Sequence, residues 1–261
     1  MQLHIFKLKK IDFFLFSMLR LIGTGLSYLD LTLRAITRIQ EADEVYMDVY
    51  TNRIKDLDLI EKTVNRKIKK LGRKQVESDF LLQKALKNDV VLLVSGDPLS
   101  ATTHVTFLLE AKKMGIKTEV IHAVSIFTAV AECGLSLYKF GRTTTLAYPE
   151  VDYRPTSPID VIKQNQKSGL HTLLLLDIEA DEKRFMTTKE GADILKQHGI
   201  KDKIIACCNA GTNERKFVYG SIEKIAKSGL EDTPACIIIP GEISEYEREA
   251  IEKLCTTNET R

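Results

Sequence analysis

Apolar runs and amphipathic stretches alternate along most of this chain. Val90-Val-Leu-Leu-Val94 is a continuous β-branched and leucine run, the pattern of a strand buried on both faces of a parallel sheet. Leu19 to Ile22, Glu44 to Tyr50, Lys117 to Ile121, Thr143 to Ala147, Thr172 to Asp177, Lys203 to Cys208 and Ala235 to Ile239 read as further strands. Between them lie helical patterns. Asp30 or Thr32 starts one that carries Leu33, Ile36 and Ile39 at helical spacing. Ala101 to Met114 is another, stopped by Gly115, and Pro158 to Lys167 and Thr188 to Gln197 follow. The charged stretch Asp56 to Lys70 also reads as helix, and Ser78-Asp79 caps the helix that leads to Val90. Strands alternating with helices predict an α/β protein with mostly parallel sheets. The pattern restarts near residue 142, which predicts two α/β lobes, 18–141 and 142–261.

Residues 1–17 stand apart from that pattern. Lys7, Lys9 and Lys10 followed by Phe13 to Phe16 imitate the charged and apolar parts of a signal peptide. Asp12 and Arg20 leave an apolar run far shorter than the ~20 residues that a membrane span needs. The segment therefore reads as an extension outside the fold, with Met18 an alternative start.

A chain of 261 residues with 44% hydrophobic and 28% charged residues can bury a real core. Its net charge of +2 leaves no electrostatic footprint for nucleic acid. Cys133, Cys207, Cys208, Cys236 and Cys255 contain no C-x-x-C pair, so a zinc site and a secreted disulfide framework are not indicated. A reducing cytoplasm is expected, with Cys207 and Cys208 packed in a core.

The candidate chemistry follows the Val90 strand, in Ser95-Gly-Asp-Pro-Leu-Ser-Ala-Thr-Thr-His104. Gly96 opens backbone angles closed to other residues, and Pro98 bars helical geometry at Asp97. A carboxylate is thus held at the carboxyl end of a central strand, where open α/β sheets bind ligands. Nucleotide and nucleophile signatures are missing. Gly23-Thr-Gly25 has Tyr28 where a dinucleotide-binding turn wants glycine, and neither G-x-x-x-x-G-K-[ST] nor G-x-S-x-G occurs. His104 reads as a hydrogen-bonded structural histidine. The residues alone thus predict an α/β protein with a small-molecule crevice near Asp97.

Several blocks, in order, resemble the diphthine synthases. They are Gly23-Thr-Gly-Leu26, Ala42-Asp-Glu-Val-Tyr46, Gly96-Asp-Pro-Leu-Ser-Ala-Thr-Thr-His104, Val120-Ile-His-Ala-Val-Ser-Ile126, Tyr138-Lys-Phe-Gly-Arg-Thr143, Tyr153-Arg-Pro-Thr-Ser-Pro158, Gly169 to Ile178 and Ile239-Pro-Gly241. Gly-Asp-Pro alone marks the wider tetrapyrrole-type methyltransferase class; Ala-Thr-Thr-His and Arg-Pro-Thr-Ser-Pro are more specific. The resemblance covers residues 18 to about 250 and is nearest the archaeal branch.

It implies a homodimer of two-lobed chains with S-adenosylmethionine bound between the lobes, no metal and no membrane. The implied reaction transfers methyl groups to the amino group of a 3-carboxy-3-aminopropyl-histidine on translation elongation factor 2, in diphthamide biosynthesis. The implied contacts with the methyl donor are Leu26, Asp97, Ser100, Ser125, Ile126, Leu176 and Ser244. No catalytic residue is assigned. Two positions depart from the family: Ser244 replaces a histidine, and Val124 fills a small-residue slot. A precorrin or other tetrapyrrole methylase, and a non-catalytic module binding an adenosine compound or a protein, are the alternatives. Lys62, Arg66, Lys67, Lys69 and Lys70, on the expected helix from Asp56, form one candidate face for the elongation factor.

Overall fold

The computed structural model describes residues 18–50, 56–149, 156–227 and 230–257. The first part of the chain builds β1 (Met18–Gly23), α1 (Leu33–Glu41), β2 (Glu44–Asp48), α2 (Leu57–Val64), β3 (Lys69–Leu71), α3 (Arg73–Val76), α4 (Phe80–Ala85), β4 (Asp89–Val94), α5 (Val105–Lys113) and β5 (Lys117–Ile121). Its five strands form one parallel sheet in the order β3-β2-β4-β1-β5.

Side-chain alternation buries both faces of that sheet. Leu19, Leu21, Val90, Leu92 and Val94 point into a core with α4 and α5, where Leu81, Phe107 and Ala111 meet them. Ile22, Val91 and Leu93 point the other way, onto Ala35 and Ile39 of α1 and Ile60 of α2. Cutting one such fully buried leucine to alanine costs about 2–5 kcal/mol. The chain therefore leaves β1 toward one face and leaves the neighbouring β4 toward the other. This divergence opens a crevice at the carboxyl ends of β1 and β4, where Asp97 lies.

The second part builds α6 (Ile126–Ala129), β6 (Thr144–Leu146), α7 (Ser157–Lys167), β7 (Thr172–Leu176), β8 (Ile178–Glu179), β9 (Arg184–Phe185), α8 (Thr188–Gln197), β10 (Lys203–Cys208), β11 (Lys216–Ser221), α9 (Ile222–Lys227), β12 (Ala235–Ile239), α10 (Glu245–Leu254) and β13 (Thr256–Thr257). Six of these strands form a sheet in the order β13-β11-β10-β12-β7-β6, and β8 with β9 makes a small hairpin. One face packs on α7, α8 and α9. The other meets α10 and the segment around Ala129 to Leu135, which also buries Cys133, Cys207, Cys236 and Cys255.

The α/β architecture agrees with the sequence reading, and several details differ from it. The second sheet is mixed, since β10 runs antiparallel to both β11 and β12, and β12 runs antiparallel to β7. The cause is a short turn between β10 and β11 that leaves no room for a helical crossover. Residues 126–140 precede the expected lobe boundary at 142 yet pack on the second sheet. The helix expected from Asp56 to Lys70 ends at Val64, where Asn65 is left-handed at φ 50°, and Lys69 to Leu71 form an edge strand. Arg66 turns back to donate to the carbonyls of Gln40 and Ala42, so no single basic helix face exists there. The helix expected from Ala101 begins at Val105, because residues 98–104 are spent on turns. Residues 1–17, and Tyr153, Arg154 and Pro155, lie outside the described residues.

A buried polar knot joins α10 to the segment before β6. Glu247, 2% exposed, accepts from the Ser136 amide, Lys139 Nζ, His171 Nε2, and the amide and hydroxyl of Ser244. His171 accepts from the Gly241 amide at Nδ1, which fixes a neutral ring with its proton on Nε2. Burial depresses the His171 pKa more strongly than Glu247 raises it, so the ring resists protonation. Below about pH 6.5 the unfolded chain takes up a proton that the folded ring refuses, so stability falls as pH drops through that window. Urea midpoints measured from about pH 7.5 to about pH 5.5 are expected to decline, and His171→Asn is expected to flatten the decline. An equal slope in the variant would contradict this account of His171.

Candidate functional site

A cleft of about 330 Å³ lies between the carboxyl ends of the first sheet and the second lobe. Leu26, Asp97, Ser100, Ser125, Ile126 and Leu176 all line it. Residues from four separate parts of the chain, those after β1, β4 and β5 and the end of β7, thus meet around one space. Its second-lobe wall includes Asp177, Cys207, Ala210 and Cys236.

Asp97 holds the arrangement together. Its Oδ1 accepts from the Leu99 amide at 2.9 Å and from Ser100 Oγ at 3.4 Å. Its Oδ2 accepts from His122 Nδ1 at 2.7 Å and from the Ala123 amide at 3.2 Å. The carboxylate's acceptor positions are therefore occupied by the chain itself. Burial would raise the Asp97 pKa, but the Leu99 amide, His122 and the Ala123 amide outweigh it, and the group is held below the usual carboxylate range. Asp97 is thus a fixed negative charge that ties the loop after β4 to the loop after β5.

The loop after β1 is drawn into the same assembly. Gly25 and Gly96 exchange backbone hydrogen bonds of 3.2 and 2.8 Å. A Cβ on Gly23 would fall 2.5 Å from the Gly96 carbonyl oxygen and 2.8 Å from Ala123 Cβ, so this approach admits only glycine. Next along the chain, Asp30 Oδ2 accepts from the amides of Leu26 and Ser27. That turn aims Leu26 at the second lobe, where it packs so closely on Gly211 that a Cβ there would lie 2.6 Å away. Leu26 is thereby a wall of the cleft and a contact between the lobes.

Other residues occupy supporting places. Ser125 caps α6 by accepting from the Phe127 amide, and Ile126 packs with the second-lobe core. Leu176 serves that lobe's other core while bordering the cleft. His104 is buried beneath the loop, with Nε2 3.1 Å from Asp48 Oδ2 and Nδ1 3.3 Å from the Pro98 carbonyl. It anchors the loop on β2, as a structural histidine does.

Ser244 does not line the cleft. Its hydroxyl caps α10 and joins Glu247 in a capping box, so the serine at this position does helix-end work. Val124 is 41% exposed, so its larger side chain points outward and leaves the loop undisturbed. The cysteines remain free thiols in the core. Burial pushes Cys133 and Cys255 up to about 12, which keeps both protonated and unreactive.

Sequence reasoning missed Tyr50, Thr145, Asp177 and Ala210 as parts of the wall. Tyr50 and Asp177 lie just past the carboxyl ends of β2 and β7, which is the signal that would have found them. Ala210 offered none, since a small apolar residue in a turn carries no chemistry. Among the described residues no group of three or more His, Cys, Asp or Glu side chains is placed to hold a metal ion.

Comparison with known proteins places this geometry in context. Residues 18–226 match the model of the family described as Tetrapyrrole (Corrin/Porphyrin) Methylases. The chain is 41% identical over 254 residues to a diphthine synthase of Methanocaldococcus jannaschii, covering 91% of this chain and 99% of that protein. It is 38% identical to a diphthine synthase of Methanococcus maripaludis strain C6, covering 91% and 98%. A solved diphthine synthase structure superposes with a TM-score of 0.85 at 30% identity, covering 92% of this chain and 96% of the other.

Asp97→Ala removes the acceptor for two backbone amides at once, and is expected to cost about 2–4 kcal/mol in urea unfolding. Gly23→Ala is expected to disturb the same loops by direct collision with the Gly96 carbonyl. Stability within about 0.5 kcal/mol of the parent in both variants would show that the loops do not depend on this junction.

Proposed function

The chain belongs to the tetrapyrrole (corrin/porphyrin) methylase family, and we propose that within it the protein works as a diphthine synthase of diphthamide biosynthesis. It is an S-adenosylmethionine-dependent methyltransferase. Its acceptor is the amino group of a 3-carboxy-3-aminopropyl side chain built on a histidine of elongation factor 2. The observation that carries the proposal is the convergence of six implied donor contacts, Leu26, Asp97, Ser100, Ser125, Ile126 and Leu176, around one cleft. Near full-length similarity to diphthine synthases supports the choice of acceptor.

The residues present fit the methyl donor. Leu26, Ile126, Leu176 and Ala210 offer apolar walls for an adenosine, and the loops beside them offer polar edges. When bound, S-adenosylmethionine supplies a methyl group activated by a sulfonium charge. Asp97 contributes a fixed negative charge in a partly dry space, where it favours a cationic ligand. Because its acceptor positions are taken by the chain, it acts through its charge and by holding the loops. Alignment of the amine with the methyl carbon is what this cleft has to provide. The contact with Cys236 and burial keep the Cys207 thiol of its wall protonated, in keeping with a direct transfer and not one through a thiolate.

Overall, one ammonium and three methyl sulfoniums give one trimethylammonium, three thioethers and three protons. Tyr50, Asp177 and the hydroxyls of Ser95, Ser100, Thr102, Ser125 and Thr145 are wall groups that can hold a hydrogen bond to the amine. Asp177 accepts from the amides of Tyr148 and Ile178, one at each oxygen, and keeps further acceptor capacity.

The working unit is a homodimer in the cytoplasm. Exposed Leu29, Leu33 and Tyr138 leave apolar surface for a second subunit to cover. Among the described residues no helix is long and apolar enough to cross a membrane.

Incubation with labelled S-adenosylmethionine and elongation factor 2 carrying the aminocarboxypropyl-histidine tests the proposal. Label is expected on the factor, reaching three methyl groups on one nitrogen, with none on factor lacking the side chain. Labelling of a tetrapyrrole instead, or of nothing, would overturn it. Asp97→Ala is expected to lose most affinity for S-adenosylmethionine in calorimetry.

A further inference from the structure

A groove of about 980 Å³, roughly three times the volume of the cleft, runs beside it over α3, α4 and α5. The two spaces share Tyr50, Ala101, Thr102, Thr145 and Leu175, so these residues form a neck where groove opens into cleft. Ala101 sits there with φ +57°, a left-handed conformation that costs an alanine energy because its Cβ crowds the backbone. Strain of this kind persists where surrounding structure imposes it, and it collects at ligand-handling positions. The Thr102 hydroxyl donates to the Pro98 carbonyl at 2.8 Å, which locks the neck to the loop that carries Asp97.

The groove wall has a definite chemistry. Glu77, Asp79 and Glu110 are its charged residues, and among the described lining residues there is no lysine or arginine. Arg73 and Lys113 pair with Glu77 and Glu110, but neither of those cations lines the groove. Threonines at 102, 103, 106, 143, 144 and 145 supply hydroxyls that both donate and accept. Hydroxyls and carboxylates set among Val76, Leu82, Phe107, Met114 and Phe127 suit a polypeptide, whose backbone needs partners of both kinds, better than a tetrapyrrole, whose own carboxylates they would repel.

We propose that this groove seats the polypeptide segment of the acceptor protein, that the segment carries positive charge, and that its modified side chain reaches the methyl donor through the neck at Tyr50, Ala101 and Thr145. This rests on the reading of the cleft as the methyl-transfer site with a protein acceptor. It accounts for a space much larger than one side chain needs. It also assigns specificity for a protein acceptor to α3, α4 and α5, away from the residues that border the cleft alone.

Two variants separate this inference from the reading beneath it. Thr106→Trp fills the groove from an exposed position on α5, and the pair Glu77→Lys with Glu110→Lys reverses its charge. Neither change touches a residue lining the cleft. Calorimetry on the full chain would measure affinity for S-adenosylhomocysteine and, separately, for elongation factor 2 carrying the aminocarboxypropyl-histidine. The expected result is unchanged affinity for the small molecule and at least a tenfold loss for the factor in both variants. The loss in the charge-reversal pair should shrink as salt is raised. Unchanged affinity for the factor in both variants would overturn the proposal, as would failure of the parent chain to bind the factor at all. If the parent binds the factor but transfers no methyl group, the groove assignment stands and the reading of the reaction fails.

Discussion

The site depends on one carboxylate that the chain keeps for itself. Asp97 gathers the Leu99 amide, the Ser100 hydroxyl, His122 and the Ala123 amide, and so welds the ends of β4 and β5 into one rigid rim. The Gly25 and Gly96 bridge adds the end of β1. A buried carboxylate with its acceptor positions filled is stable as an anion, whereas an unpaired one would be costly. Gly96-Asp97-Pro98 therefore acts as a unit: Gly96 takes the left-handed turn at φ 71°, Asp97 makes the ties, and Pro98 keeps the turn from relaxing into helix. The negative charge that remains is available to a cationic ligand without moving.

The second lobe completes the site by packing. Leu26 leaves the first lobe and presses on the turn at Gly211, while residues 126–140 cross over to cover the second sheet's inner face. The lobes are therefore joined on both sides of the cleft by apolar contacts. Mixed strand directions in the second sheet have a role in this. The turn joining antiparallel β10 and β11 brings Asn209 to Arg215 back toward the first lobe, and Ala210 with it. A helical crossover would have carried the chain to the outer face instead.

Much of this was legible in the sequence, and unevenly so. Strongly apolar strands such as Val90 to Val94 and Lys203 to Cys208 stood out because burial on both faces demands continuous apolar runs. Thr188 to Gln197 was legible at both ends because Thr187 and Glu190 form a capping box at its start and the left-handed Gly199 follows its end. β11 and α10 escaped because their apolar positions are few and diluted by polar residues. The stretch from Asp56 to Lys70 misled because charge and helical spacing continue past Val64, while a left-handed Asn65 ends the helix. At the site, the Gly-Asp-Pro loop announced itself through its turn chemistry. Ser244 could not be placed by resemblance, since its surroundings make it a helix cap knotted to Glu247 and His171. Thr145 carries no local signal; only the meeting of the two spaces identifies it.

The central claim is that Asp97 fixes the rim by its ties to the chain and meets the ligand by charge alone. A crystal structure of the chain with S-adenosylhomocysteine tests it most directly. The account predicts the product in the cleft between Leu26, Ile126 and Leu176, with the Asp97 carboxylate still bound to the Leu99 and Ala123 amides. Density for the product elsewhere, or an Asp97 carboxylate turned away from both amides to grip it, would contradict the account.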